Sequence, residues 1–170
     1  MTTVTYQPNA IAPDVLDELR ARDDAGVVPR VHAYDMDGAP LRCCLRRSRA
    51  GEPVSLVSYA PLRRWAAEAG VDPGAYDEVG PVFIHTDRCA GPDAALGYPF
   101  AETGAPRVLR RYSGEGHITG GALVRLPDDP DQAQAAVEQA LHSAFADPGV
   151  ALVHVRAVEY GCFQYEVRRP

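Results

Sequence analysis

Arg107-Val108-Leu109-Arg110-Arg111-Tyr112-Ser113-Gly114-Glu115-Gly116-His117-Ile118-Thr119-Gly120-Gly121-Ala122-Leu123-Val124-Arg125-Leu126 is the stretch that decides the fold. Two runs rich in β-favouring residues flank Ser113-Gly114-Glu115-Gly116, so the stretch reads as a hairpin. The strongest helix signal follows it. Between Asp131 and Phe145, the residues Ala136, Val137, Ala140, Leu141 and Phe145 recur at helical spacing and give one apolar face. Two more strands are expected over Ala151–Glu159 and Cys162–Arg168, turning near Gly161.

Upstream, strands are expected at Val4–Gln7, Val31–Tyr34, Arg42–Arg46, Val54–Tyr59 and Pro81–Thr86. Helices are expected at Pro13–Arg22 and Pro61–Ala69, each with proline in the first turn, where a missing N–H costs nothing. Val71–Gly80 and Cys89–Pro106 read as loops. Strands joined by short connections, with three interspersed helices, predict one α+β domain with an antiparallel or mixed sheet and the helices packed on it.

Composition narrows function. A chain of 170 residues suffices for one core, and 46% apolar with 24% charged residues is ordinary globular usage. No apolar run approaches the roughly 20 residues of a membrane helix. Met1-Thr2-Thr3-Val4-Thr5 lacks the basic-then-apolar pattern of a signal peptide, so a cytoplasmic protein without membrane contact is expected. A net charge of −6 argues against nucleic acid as a partner. All 17 basic residues are arginine, which excludes Schiff-base and lysine-linked pyridoxal chemistry. Asn9 is the only asparagine, so a Cys-His-Asn triad has no third member. No Gly-x-Ser-x-Gly elbow is present. The glycines of 114–121 do not fit the dinucleotide fingerprint and are flanked by strands.

Several segments, taken together, resemble the bacterial family labelled "domain of unknown function 1203". They are Arg42-Cys43-Cys44-Leu45, Gly51-Glu52 leading to Ser58-Tyr59-Ala60-Pro61, and Tyr76-Asp77-Glu78-Val79-Gly80-Pro81-Val82-Phe83-Ile84-His85. Arg110-Arg111-Tyr112, His154-Val155-Arg156 and Gly161-Cys162-Phe163 complete the set, which runs from about Arg42 to Arg168. The resemblance implies no activity. It marks His85, Arg110, Tyr112, His154, Arg156 and Cys162 as positions to watch. The family carries an amide residue after its His-x-Arg unit, where this chain has Ala157, so a ligand contacted by that amide would differ here.

The period of two along a strand gives these positions a geometry. His154 and Arg156 share one face, opposite Val153 and Val155; Arg110 shares a face with Tyr112, and His85 with Phe83. If those polar faces coincide, His85, Arg110, Tyr112, His154 and Arg156 converge. Two arginines would hold an anion, two histidines would move protons, and Tyr112 would donate a hydrogen bond. Cys162 would line the site or act as a nucleophile activated by His85 or His154. Asp77 and Glu78 could add a carboxylate, although a solvated loop is the commoner role. The alternative for the arginines is ordinary surface pairing with Asp or Glu.

The expected function is a cofactor-independent enzyme isomerising, cyclising or eliminating from an anionic or polar small metabolite. His85 or His154 would be the acid/base and Arg110 and Arg156 the substrate clamp. No cofactor and no metal are expected; oligomeric state is left open. A non-catalytic small-ligand-binding or protein-interaction domain is the second reading. The third is a zinc-dependent enzyme or zinc-stabilised domain drawing on His85, Cys89, His154, Cys162 and one of Cys43 and Cys44. Only one of the last two is allowed, because neighbours on a strand point to opposite faces.

Overall fold

In the computed structural model, residues 4–170 are described; Met1–Thr3, part of the segment searched for a targeting signal, lie outside the described residues. Among the described residues the order is β1 (Pro8–Asn9), α1 (Pro13–Ala21), β2 (Arg30–Ala33), β3 (Pro53–Tyr59), α2 (Pro61–Ala69) and β4 (Gly80–His85). Then come β5 (Pro106–Ser113), β6 (Ile118–Arg125), α3 (Pro130–Phe145), β7 (Val150–Ala157) and β8 (Phe163–Arg168). Five strands form one sheet in the order β1-β8-β7-β5-β6, and β2-β3-β4 form a second. Pairing within both sheets is antiparallel. The fold is α+β, as expected. Among the described residues no helix is long and apolar enough to cross a membrane.

Local chemistry sets the helix limits. Proline opens all three helices. Asp129 caps α3 by accepting from the Gln132 N–H at 2.9 Å. Gly70 closes α2 at φ 71°, a left-handed conformation that glycine adopts without a Cβ clash. Ala133, Val137, Leu141, Ala144 and Phe145 are the buried face of α3. They pack on Leu109, Val153, Val155, Tyr165 and Val167 of the large sheet.

That packing consumes one face of the large sheet and leaves the other to its polar residues. Leu152 and Tyr112, on the second face, are covered by Leu62, Trp65 and Ala66 of α2. Phe163 joins the core of the small sheet and α1, formed by Ile11, Leu16, Leu19, Val54, Val57 and Ile84 among others. The polar face of the large sheet is thus enclosed by α2 and the edge of the small sheet.

Two expected strands are absent. Val4–Gln7 is irregular, and pairing starts only at Pro8, whose neighbour Asn9 lies opposite Glu166. Residues 42–46 form a turn. The Leu45 N–H bonds the Leu41 carbonyl at 2.9 Å, and Leu45 itself sits at φ 56°. The chain on either side is held by bridges Pro40↔Arg47 and Leu41↔Phe83. Arg42-Cys43-Cys44-Leu45-Arg46 cannot reveal this, because the turn is set by tertiary contacts and not by turn-forming residues.

Candidate functional site

One row of residues crosses the large sheet. Gly121, Arg110, His154 and Glu166 are register partners on β6, β5, β7 and β8, so their side chains share a face. Val108 lies opposite Arg156 and Tyr112 opposite Leu152, which puts both functional groups on the same side. The β7–β8 register slips between Val155 and Arg156, a bulge that turns the strand end toward the Tyr160-Gly161 turn.

His154 is fully buried and bonds Glu166 (Nε2···Oε2 3.1 Å). Arg168 holds the other oxygen of Glu166 at 2.6 Å. The imidazole lies between the rings of Tyr112 (centroids 4.7 Å apart) and Phe163 (5.0 Å). Burial pushes the His154 pKa below its ordinary value, an effect opposed by Glu166 and reinforced by Arg156 and Arg110. For Glu166, burial would raise the carboxyl, but His154 and Arg168 outweigh it and hold it low. The pair is therefore a neutral imidazole donating from Nε2 to a carboxylate. Nδ1 has no partner.

His154 lines a cleft of about 210 Å³, with Tyr112, Glu78, Arg156 and Cys162 and the start of β4. Burial lifts the Tyr112 phenol above its ordinary value against the pull of Arg110 and Arg156. Both arginines are engaged: Glu78 accepts from Arg110 Nη1 at 2.6 Å and from Arg156 Nη2 at 2.9 Å. Arg156 also donates to the Gly161 carbonyl at 3.0 Å. Burial raises the Glu78 carboxyl, and the two guanidinium groups more than reverse this. The clamp and its carboxylate together keep one net positive charge at the rim.

Cys162 donates to the Tyr160 carbonyl at 3.7 Å and is half-buried. Neither His85 nor His154 is bonded to it among the described residues. His85 does not join the row at all. Leu56 faces Phe83, and Val54 faces His85 at the far end of β4 from the cleft. Since β4 has six residues, its ends stand roughly 16 Å apart.

At that far end His85 meets thiols. Its Nδ1 is 3.4 Å from Cys43 Sγ and 3.8 Å from Cys44 Sγ. The ligand atoms of Cys43, Cys44, His85 and Cys89 all lie within 4.8 Å of one another. Both adjacent cysteines join one cluster because residues 42–46 turn; the opposite-faces rule holds only for extended backbone. His154 and Cys162, expected as further ligands, belong to the cleft instead.

Three residues were hidden or undervalued in the sequence. Glu166 carries the strongest missed signal: an acidic residue between Tyr165 and Val167 in the run Phe163-Gln164-Tyr165-Glu166-Val167, every one of them buried. Glu78, read as solvated loop, reaches the arginines. Arg42 is buried without a carboxylate partner and donates to the carbonyls of Phe163 and Pro40. Burial pushes its pKa down to about 10. It lines a larger groove of about 760 Å³ that shares Cys162 with the cleft.

Residues 38–169 match the family described as "Protein of unknown function (DUF1203)", and the chain belongs to it. The match starts slightly earlier than the segments that carry the resemblance. No curated protein matches the chain, and no solved structure does.

Proposed function

We propose that this family member is an acid–base enzyme that shifts a proton on a small polar or anionic metabolite in the cleft at His154. The observation that carries the reading is the free nitrogen of a buried histidine. Glu166 fixes the ring through Nε2, so Nδ1 is left as the acceptor on a side chain lining a cavity. A buried polar atom without a partner costs roughly 1–3 kcal/mol, and of the four such side-chain atoms among the described residues, on Arg111, His154, Gln164 and Tyr165, only that of His154 belongs to a residue lining the cleft. A lowered pKa keeps the imidazole in its basic form at neutral pH, as a general base requires.

The remaining roles follow from chemistry. Tyr112, kept protonated by burial, is the hydrogen-bond donor to the charge that develops when the proton leaves. Arg156 and Arg110 attract the substrate's anionic group, which must compete with Glu78 for them. Isomerisation, cyclisation or elimination needs only these groups. The volume of about 210 Å³ lies below the range of drug-sized pockets, roughly 300–1,000 Å³, which favours a small metabolite. Non-catalytic binding of a small polar ligand in the same cleft is the competing reading; it uses the same Arg110–Arg156 clamp, which Glu78 occupies, and needs no proton transfer.

A deuterium wash-in experiment tests the proposal without knowing the substrate. The protein is incubated in D2O with a metabolite extract, and isotope uptake is read by mass spectrometry. Wild type is expected to label at least one small metabolite, with H154Q and Y112F slower by at least about 100-fold and 10-fold respectively. If wild type labels nothing that H154Q does not, the acid–base reading is wrong.

A further inference from the structure

We propose that Cys43, Cys44, His85 and Cys89 bind one zinc ion in a closed, tetrahedral site that staples the 42–46 turn and the loop after β4 to the end of that strand. This lies outside the cleft and does not depend on the function proposed there.

The first support is spacing. Zn–S bonds of about 2.3 Å and Zn–N bonds of about 2.0 Å put tetrahedral ligand atoms roughly 3.5–3.8 Å apart. The pairs are 4.0 Å (Cys43 Sγ to Cys44 Sγ), 3.4 Å (Cys43 Sγ to His85 Nδ1) and 3.8 Å (Cys44 Sγ to His85 Nδ1). Cys89 adds the fourth ligand atom within 4.8 Å of the rest, so a small contraction completes the shell. Three soft sulfurs and one imidazole suit zinc, whereas magnesium and calcium take oxygen ligands.

The second support is the surrounding bonds. The His85 N–H already donates to Cys43 Sγ at 3.2 Å, an arrangement that stabilises a thiolate. With Nδ1 on the metal, Nε2 carries the proton. Glu52 Oε1 stands 3.5 Å from that nitrogen, so displacing the Arg46 guanidinium, now 3.3 Å from Nε2, would let the Nε2 proton reach the carboxylate in the relay common to zinc proteins. Arg46 holds the same Glu52 oxygen at 2.7 Å and lies 3.3 Å from Nε2, so it offsets the negative charge of three thiolates. Four protein ligands leave no open position, and that is the pattern of a structural site.

The third support is local backbone. Leu45, a buried non-glycine residue, is held at φ 56° immediately after the cysteine pair. Left-handed backbone at such a residue is unfavourable and persists where surrounding contacts demand it. Here it closes the turn that carries the two adjacent sulfurs.

The test is zinc content by elemental mass spectrometry, using full-length protein purified in reducing, chelator-free buffer and then offered zinc alone. Wild type is expected to retain one zinc per chain after desalting. Cys89 is exposed, so C89S deletes a ligand without disturbing the core. Competition against a chromophoric chelator should show C89S and H85Q weakened at least about 100-fold and E52Q roughly 10–100-fold. Cobalt substitution should give thiolate-to-metal charge-transfer bands that diminish in C89S. The proposal is overturned if folded wild type retains no zinc under these conditions. It is also overturned if C89S and H85Q bind as wild type does, if iron occupies the site in place of zinc, or if Cys43 and Cys44 are found joined to each other.

Discussion

The two histidines that the sequence pairs in one site are held in opposite ways. His154 sits in mid-strand, fully buried, with a carboxylate on one nitrogen and aromatic rings on either side. His85 ends a strand, mostly but not fully buried, with sulfurs on one nitrogen and the Glu52–Arg46 pair on the other. The first environment keeps an imidazole neutral and leaves Nδ1 free. The second collects soft ligands on three chain segments. Residue type alone could not separate the two roles. The partners decide them, and the partners arrive by tertiary contact.

The largest expected effect is at Glu166. Replacing it with alanine leaves the buried His154 and the Arg168 guanidinium without their shared carboxylate. An orphaned buried hydrogen-bond donor costs about 1–3 kcal/mol, and the half-exposed Arg168 adds little to that. Urea denaturation should show that loss, and it should be the same with and without a metal chelator. E68A removes the exposed partner of Arg168 and should cost under about 1 kcal/mol. A small effect for E166A would mean that the pair is not what orders this face.

The next test uses pH. The folded His154 pKa lies below its ordinary 6.5, so under acid conditions the unfolded chain binds a proton that the folded chain refuses. Stability is then full above 6.5 and declines as pH falls through the interval below it, by at most about 1.4 kcal/mol per pH unit for one proton. Glu166, also lowered, adds a further decline only below its own ordinary value of 4.5. In H154Q the loss between 6.5 and 4.5 should shrink, as read by chemical denaturation at each pH. If H154Q loses stability over that interval as steeply as wild type, His154 is already charged in the fold and cannot be the base.

The legible part of the structure is the part governed by local chemistry. Proline at the helix starts, alternation along β5, β7 and β8, and helical spacing in α3 were all readable, and the period of two put Arg110, Tyr112, His154 and Arg156 on one face. The unread part depends on contacts remote in sequence. Glu166 faces His154 from twelve residues away only because β7 and β8 pair in this register. Glu78 meets Arg156 across 78 positions. The Cys43-Cys44 turn looks like strand because its residues favour extended backbone; docking on β4 through the Leu41↔Phe83 bridge overrides them. That strand reading allows only one of Cys43 and Cys44 beside His85 and Cys89, whereas the turn brings both.

The smallest expected effect is at Cys162, the thiol that touches neither histidine. It lies between the cleft and the larger groove, and its hydrogen bond is a weak donation to a carbonyl at 3.7 Å. A half-buried cysteine so placed acts as a small apolar side chain. C162A should therefore change stability by under about 1 kcal/mol. It should also leave deuterium wash-in within about twofold of wild type, because a proton shift between Nδ1 of His154 and a bound metabolite needs no thiol. The two regions would then divide the four cysteines cleanly, with three at the His85 end and one inert at the cleft. Abolition of labelling in folded C162A would break that division. It would mean that the thiol attacks the substrate, and the cleft would have to be read as a site for covalent catalysis with His154 serving the sulfur.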